Sequence, residues 1–277
     1  GIAVNGNDLV PDQGAQVVRS LGNGTSVANA GGGSFNGPGN SYDLTYRGGA
    51  ANVGLELSRD LNNLTVESGA TPQLIDQPQL TEDGVVNGVL TVESGAQIAD
   101  DGSGARTLVL AGSEETHSIE GVVARANGNS VTLRTDGDNT TIEGSTDDAN
   151  AARIENLVVN ASGVAIDSDT PLQQIDGNVT VQEGDGLDLA LYDAQGDDTP
   201  AEAGTDDDND GTDDRTIEGR ITVNGALALS STVELTNNFG ETVRVNESGT
   251  SGTVSLQDGD LVLTGQGSRF VADSDES

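Results

Sequence analysis

The acidic run at residues 205–214 is the segment whose residue types and spacing point most directly to chemistry. Asp206, Asp208 and Asp210 stand at every second position, a glycine that permits a tight turn follows, and Asp213 is placed to close the loop. Calcium takes six to eight oxygen ligands, so clustered carboxylates at this spacing suit it. The run therefore predicts a calcium site formed by these four aspartates, with calcium as the cofactor.

The run is not an EF-hand, because the twelfth loop position is Ile217 and not the bidentate glutamate that such a loop requires. It resembles the Asp-rich calcium loops of thrombospondin type 3 repeats, and that resemblance implies calcium binding. The alternative interpretation is a disordered acidic loop without an ion, since further aspartates and a proline precede the run at 197–200.

The catalytic alternatives rest on few residues. His117 is the single histidine and follows two glutamates and a threonine, so we expect it to lie on the surface without a catalytic role. Arg215 and Arg220 flank the acidic loop and would fit a calcium-dependent polysaccharide lyase, in which an arginine abstracts a proton. The chain offers few aromatic residues to stack on sugar rings and few basic groups for an acidic glycan. We therefore predict that the protein is not an enzyme.

The charge of the chain excludes several partners. Its 277 residues carry a formal net charge of −35, and all 11 basic residues are arginines. Nucleic acid and anionic membrane surfaces both require clustered positive charge, and no apolar run approaches the length of a membrane span. Molar salt screens such self-repulsion, so the composition favours a hypersaline or marine setting or the use of divalent cations. The alternative is that the charge only maintains solubility.

Apolar residues alternate with polar ones throughout the chain. Ile221 and Val223 alternate up to an Asn-Gly turn, after which Leu227 and Leu229 resume the alternation. Apolar spacing typical of helices is absent from the sequence, and period-two alternation bounded by Gly, Asn and Asp predicts short strands. The pattern predicts an all-β fold.

The strands recur as a repeat. The seven residues Leu64–Ala70 are identical to Leu90–Ala96, 26 positions later. A looser unit of isoleucine, an acidic residue and glycine, followed by an apolar-Thr-Val strand, begins at Ile175 and Ile217, and its first half begins at Ile119 and Ile142. Repeats of this length in a β-only chain favour a β-solenoid, or parallel β-helix. A β-sandwich is the alternative.

The repeats divide the chain into three parts. We expect a Gly-rich N-terminal extension or cap over 1–50, which is placed to pair with a neighbouring subunit. A repetitive solenoid over 51–265 follows, with an acidic insertion at 193–215, and an acidic tail spans 266–277.

The segment Tyr42–Tyr46 is followed by Leu61–Val66, and successive Gly-x-Leu-Thr-Val units come after both. Residues 40–265 thereby resemble the repetitive parallel β-helix surface proteins of bacteria, adhesin-like or autotransporter-passenger-like and especially those of the Bacteroidota. The resemblance implies export, an extracellular or cell-surface location, and adhesive or fibre-forming roles. It implies no catalytic residues. The acidity and the irregular repeat length of this chain depart from the pattern.

The functional expectation follows from the stacked strands. A stack of coils ends in open edges that pair with another copy head to tail, and such pairing propagates into a filament. Self is therefore the first predicted partner, and the apolar runs Ile2–Val4 and Val17–Val18 are placed to add a strand. The alternative is an adhesin or glycan-binding stalk of a larger surface protein, with surface glycans as partners.

Overall fold

The computed structural model describes residues 3–4, 13–23, 28–29, 41–53, 56–57, 61–76, 84–145, 152–167, 172, 174–181 and 186–189, together with the strands between 215 and 271. The described residues form strands and one short 3-10 helix, Leu21–Asn23. No described helix is long and apolar enough to cross a membrane.

The strands in chain order are β1 (Ala3–Val4), β2 (Ala15–Ser20), β3 (Ala28–Asn29), β4 (Tyr42–Arg47), β5 (Gly49–Val53), β6 (Leu61–Val66), β7 (Ala70–Leu74), β8 (Gly84–Val86), β9 (Leu90–Val92), β10 (Gln97–Asp100), β11 (Arg106–Leu110), β12 (Thr116–Ile119), β13 (Val122–Val123), β14 (Val131–Thr135), β15 (Thr141–Glu143), β16 (Arg153–Ile154), β17 (Asn156–Val159), β18 (Val164–Ile166), β19 (Gln174–Ile175), β20 (Val179–Val181), β21 (Gly186–Leu189), β22 (Arg215–Glu218), β23 (Ile221–Val223), β24 (Ala226–Leu229), β25 (Val233–Thr236), β26 (Thr242–Val245), β27 (Thr253–Leu256), β28 (Leu261–Thr264) and β29 (Arg269–Val271).

Three parallel sheets contain nearly all of these strands. The ten-stranded sheet runs β2-β4-β6-β9-β12-β15-β18-β21-β24-β27, the nine-stranded sheet runs from β5 to β28, and the eight-stranded sheet runs from β8 to β29. β1 and β3 form a separate two-stranded sheet. From β6 onward the chain visits the ten-, nine- and eight-stranded sheets in turn, whereas β4 and β5 are followed directly by β6 in the ten-stranded sheet. One circuit around the sheets is called a coil below. This architecture is a β-solenoid and excludes the β-sandwich, whose sheets are antiparallel.

The identical seven-residue segments stack directly on each other. Leu64 pairs with Leu90 and Val66 with Val92, so the 26-residue repeat is one coil. The predicted equivalence of Ile175 and Ile217 is also confirmed by their pairing. β23 and β24, which flank the predicted Asn224-Gly225 turn, belong to different sheets, so they are not the two strands of a hairpin. The two turn residues themselves lie outside the described residues.

Two matches of the looser repeat are not structurally equivalent. Ile142 pairs with His117, whereas Ile119 pairs with Val92 and lies two positions further along the strand. Both residues belong to the ten-stranded sheet, whereas Ile175 lies in the nine-stranded sheet. The first half of the looser repeat therefore does not fix the register, because an isoleucine before an acidic residue and a glycine lies near the ends of strands in both sheets.

Aliphatic columns fill the interior. Leu44, Leu64 and Leu90 occupy successive coils at one register position, and each is at most 1% exposed. Coils stack about 4.8 Å apart, which lets equivalent side chains touch along the axis. Burying a leucine or valine contributes roughly 1.5–3 kcal/mol, so repeated aliphatic residues form a core that needs few aromatics.

Coil length varies because the corners vary. Leu187 in β21 pairs with Leu227 in β24, 40 positions later, compared with 26 positions between Leu64 and Leu90. The predicted acidic insertion at 193–215 thus falls almost entirely between β21 and β22. Strands also lie outside the predicted solenoid range of 51–265: β2 and β4 precede it and β29 follows it.

One corner leaves no room for side chains. Between the eight- and ten-stranded sheets, a Cβ on Gly137 would overlap the Gly112 carbonyl oxygen, and a Cβ on Gly112 would overlap that of Asn87. The three residues occupy the same corner in successive coils. Glycine is therefore required at positions 112 and 137, because the backbone of the preceding coil approaches them so closely.

Candidate functional site at the sheet edge

The first strand of the ten-stranded sheet, β2, presents an edge that no other described strand covers. It pairs with β4 over its whole length, with Val17 opposite Leu44 and Val18 opposite Thr45. Val18 points outward and is 53% exposed, and it is the only large hydrophobic side chain exposed among the described residues. The outer edge of β2 therefore combines an exposed valine with backbone groups that no described strand pairs with, which is the arrangement that accepts another strand.

The inward face of β2 ends in a buried ion pair. Arg19 is 8% exposed and its guanidinium contacts the carboxylate of Glu56, which is 1% exposed. Arg19 Nη2 also donates to the Asn52 carbonyl oxygen at 2.9 Å, and the Tyr42 hydroxyl donates to the Glu56 carbonyl oxygen at 2.5 Å. This polar cluster lies within the first coils, at the N-terminal end of the aliphatic core.

Tyr46 lies within the same cluster. The Arg19 guanidinium carbon is 6.0 Å from the centroid of the Tyr46 ring, within the range of a cation–π contact. Burial raises the pKa of Tyr46 well above its ordinary value, against the opposing effect of Arg19. The phenol therefore stays neutral, and the positive charge of Arg19 is matched by Glu56.

Glu56→Gln is predicted to destabilise the protein by about 3–5 kcal/mol, because it leaves Arg19 charged and buried. The matched control is Glu67→Gln, which removes a solvent-exposed pair with Arg47 and should cost less than about 1 kcal/mol. Urea unfolding of both variants measures the difference. Equal small losses would contradict the conclusion that Arg19 and Glu56 form a buried ion pair that stabilises the core.

A second polar cluster lies at the corner between the nine- and eight-stranded sheets. Asp100, at the end of β10, is fully buried and accepts four backbone N–H groups: those of Gly102 at 3.0 Å, Ala126 at 2.8 Å, Asn127 at 2.9 Å and Asn129 at 3.3 Å. Burial disfavours its charge, but the four hydrogen bonds outweigh burial and lower the pKa of Asp100 to about 2. The carboxylate thus fastens one corner to the next.

Asp100→Asn should destabilise the protein by about 2–3 kcal/mol at neutral pH. A depressed pKa contributes stability that is complete above the unfolded pKa near 4 and is lost as the pH falls through about 2. The difference in unfolding free energy between wild type and variant should therefore shrink from pH 5 to pH 2. Urea titrations at both values test this, and a difference independent of pH would refute it.

Ion pairs lie along the same corner, both beside Asp100 and in the coils that follow. Arg106 contacts Asp101 at 2.9 Å and Arg125 contacts Glu155 at 3.1 Å. Glu155 is 2% exposed and also accepts the backbone N–H groups of Arg125 and Val131, both at 2.8 Å. The corner therefore repeats one device, in which a buried carboxylate binds the backbone of an adjacent coil.

All arginine side chains that the structure describes are paired with acidic side chains. Each makes an ion pair with an acidic residue: Arg19, Arg47, Arg106, Arg125, Arg134 and Arg153. The positive charge of each described arginine is therefore balanced by a carboxylate of the same or another coil.

His117 contradicts the expectation of a surface residue. It is fully buried in β12, in the column where its neighbours are Leu90 and Ile142, and Nδ1 accepts the Leu90 backbone N–H at 3.0 Å. Nε2 is buried with no hydrogen-bond partner among the described residues. The expectation was wrong because it was based on the polar residues Glu114–Thr116 that precede His117. The alternation of His117 with buried Ile119 was the signal that placed it inside.

Burial lowers the pKa of His117 to about 4, so the imidazole is neutral at pH 7. The unfolded chain takes up the proton near pH 6.5, so stability should fall between pH 6.5 and 4. His117→Leu removes this dependence. Between pH 7 and pH 4, wild type should lose about 3 kcal/mol more than the variant, since the other titrating groups are common to both. Parallel pH profiles in urea unfolding would rule this out.

The predicted calcium ligands, Asp206, Asp208, Asp210 and Asp213, lie outside the described residues, as do Arg220 and the side chain of Arg215. Within the described part of the chain, no group of three or more His, Asp or Glu side chains is arranged to hold a metal. The calcium site stays a prediction.

No protein-family model matches the sequence, and neither curated proteins nor solved structures show a significant similarity to it. The fold defines the class of protein, a parallel β-solenoid.

Proposed function

We propose that this chain is a non-catalytic structural subunit of an extracellular surface filament, which assembles through its strand edges. The observation that carries the proposal is that every described strand pair is parallel, so that the ten-stranded sheet begins at β2 and ends at β27 with an edge at each side. The two edges of a parallel sheet present different backbone groups, so the β2 edge of one copy pairs with the β27 edge of another. Copies joined in this way are arranged head to tail. Such contacts propagate and do not close.

The distribution of polar groups supports a structural role. Buried carboxylates fasten corner to corner at Asp100 and Glu155, and the described arginines are all paired. These contacts stabilise the stack itself. They leave little described positive charge for an acidic polysaccharide, and this favours the structural role over the lyase.

The likeness to bacterial surface β-helices is part of the proposal, with the fold as its support. Calcium is part of the proposal because of Asp206, Asp208, Asp210 and Asp213, which lie in the sequence between β21 and β22. A divalent ion there would reduce the repulsion between subunits in a chain of net charge −35. We therefore propose that calcium gates assembly.

The second candidate is an adhesin or glycan-binding stalk. It draws on a column of hydroxyl side chains on the outward face of the ten-stranded sheet, in which Thr45 is followed by Thr65, Thr91 and Ser118 in successive coils. Such hydroxyls donate and accept hydrogen bonds, as a sugar surface requires. This role needs no self-association.

Electron microscopy of purified protein in low salt, where the repulsion between subunits is not screened, with and without calcium, tests the first candidate. We expect filaments in calcium and shorter or fewer ones in a chelator. A variant with Asp206, Asp208, Asp210 and Asp213 all changed to asparagine should assemble alike in both conditions. Dispersed monomers throughout would contradict the filament, and monomers that bind immobilised glycans would favour the stalk.

A further inference from the structure

The direction of backbone groups in the ten-stranded sheet follows a fixed rule. The Leu64 N–H donates to the Val89 carbonyl oxygen at 2.9 Å, while the carbonyl oxygens of Tyr46 and Val66 accept from the next coil at 3.0 and 2.9 Å. Leu64, Tyr46 and Val66 are all buried, inward-facing residues. Inward residues thus direct their N–H and C=O groups to the following coil, and outward residues direct theirs to the preceding coil.

Applied to β2, the rule identifies the backbone N–H and C=O groups that have no partner on a described strand. Val18 pairs in register with Thr45 and points outward, so its N–H and C=O groups face the preceding side, where no described strand lies. Gln16 and Ser20 have the same orientation on β2. The backbone groups of Val17 face the opposite way and belong to the ladder with β4.

The far edge of the sheet presents the complementary set. Val254 and Leu256 in β27 pair with Leu227 and Leu229, and Leu227 pairs in turn with buried Leu187. These register positions are inward ones, so the backbone groups of Val254 and Leu256 face the following side. No described strand pairs with these groups of β27, and they are the groups that a strand in the position of β2 would bind.

We infer that β2 of one copy binds β27 of a second copy in parallel, so that the ten-stranded sheet continues across the junction. This inference rests on the proposed filament and names its contact. The partial exposure of the inward residues on β2 also supports it. Ala15 and Val17 are only half-buried, whereas Tyr42 and Leu44 in the next strand are at most 1% exposed. A further coil would cover them.

Val18→Pro is the sharpest test. Proline removes the N–H that faces the free edge and no hydrogen bond of the β2–β4 ladder, and it is tolerated on edge strands at such positions. It also favours the extended conformation that Val17 already has. Val18→Thr is the matched control, because it retains the N–H and changes only the side chain. Circular dichroism should show all three proteins folded alike.

The expected result is that wild type and Val18→Thr form filaments, while the mean length for Val18→Pro falls at least tenfold. Filaments of Val18→Pro as long as those of wild type would overturn the junction and leave the filament standing. Dispersed wild-type protein would instead overturn the filament, and the junction with it.

A mixing experiment tests the polarity of the contact. Val18→Pro retains β27, so it should add to the β2 end of a growing filament and block that end alone. Labelled seeds extended by wild type should grow at both ends, and a small fraction of Val18→Pro should restrict growth to one end. Growth at both ends with the variant present would refute the assignment.

Discussion

The parallel ladder between coils is the constraint on which the rest of this structure depends. Each strand satisfies its backbone groups on the strands of the preceding and following coils, so a residue is always placed above and below its equivalents. Leu64 beneath Leu90 and Ile154 beneath Ile175 show the result, in which one residue type serves repeatedly along a column. The core is thus a set of one-dimensional stacks, and its stability accumulates coil by coil.

The ladder also explains where polar groups are tolerated inside. Glu155 and Asp100 are buried beside corners, where backbone N–H groups have left the strand ladder and need acceptors. His117 accepts a backbone N–H within a strand and Arg19 meets Glu56 at the end of the core. Each case supplies a partner that the regular pairing lacks. The buried polar side chains of this solenoid therefore supply hydrogen-bond partners to groups that the strand ladders leave without one.

Much of the fold could be predicted from the sequence, because alternation and the repeat at Leu64 and Leu90 both arise from the ladder. The sheet to which Ile119 and Ile142 belong could not be predicted, since coil length changes at corners and a short motif does not specify a register. His117 was missed because its acidic neighbours outweighed its place in the alternation. The pairing of Arg19 with Glu56 joins residues 37 positions apart, and nothing local marks it. Three-dimensional stacking decides these cases.

The glycine corner at Gly112 and Gly137 has a consequence for engineering. Backbones approach so closely there that even a methyl group would push coils apart, so this line of the molecule cannot accept inserted peptides. The corner between the nine- and eight-stranded sheets is more permissive, since Ser103 is exposed and a side chain on Gly128 would meet open space apart from its positive φ. A foreign epitope displayed on this scaffold belongs at this corner, and epitopes inserted in the equivalent corners of successive coils would lie in a row along one side of the stack.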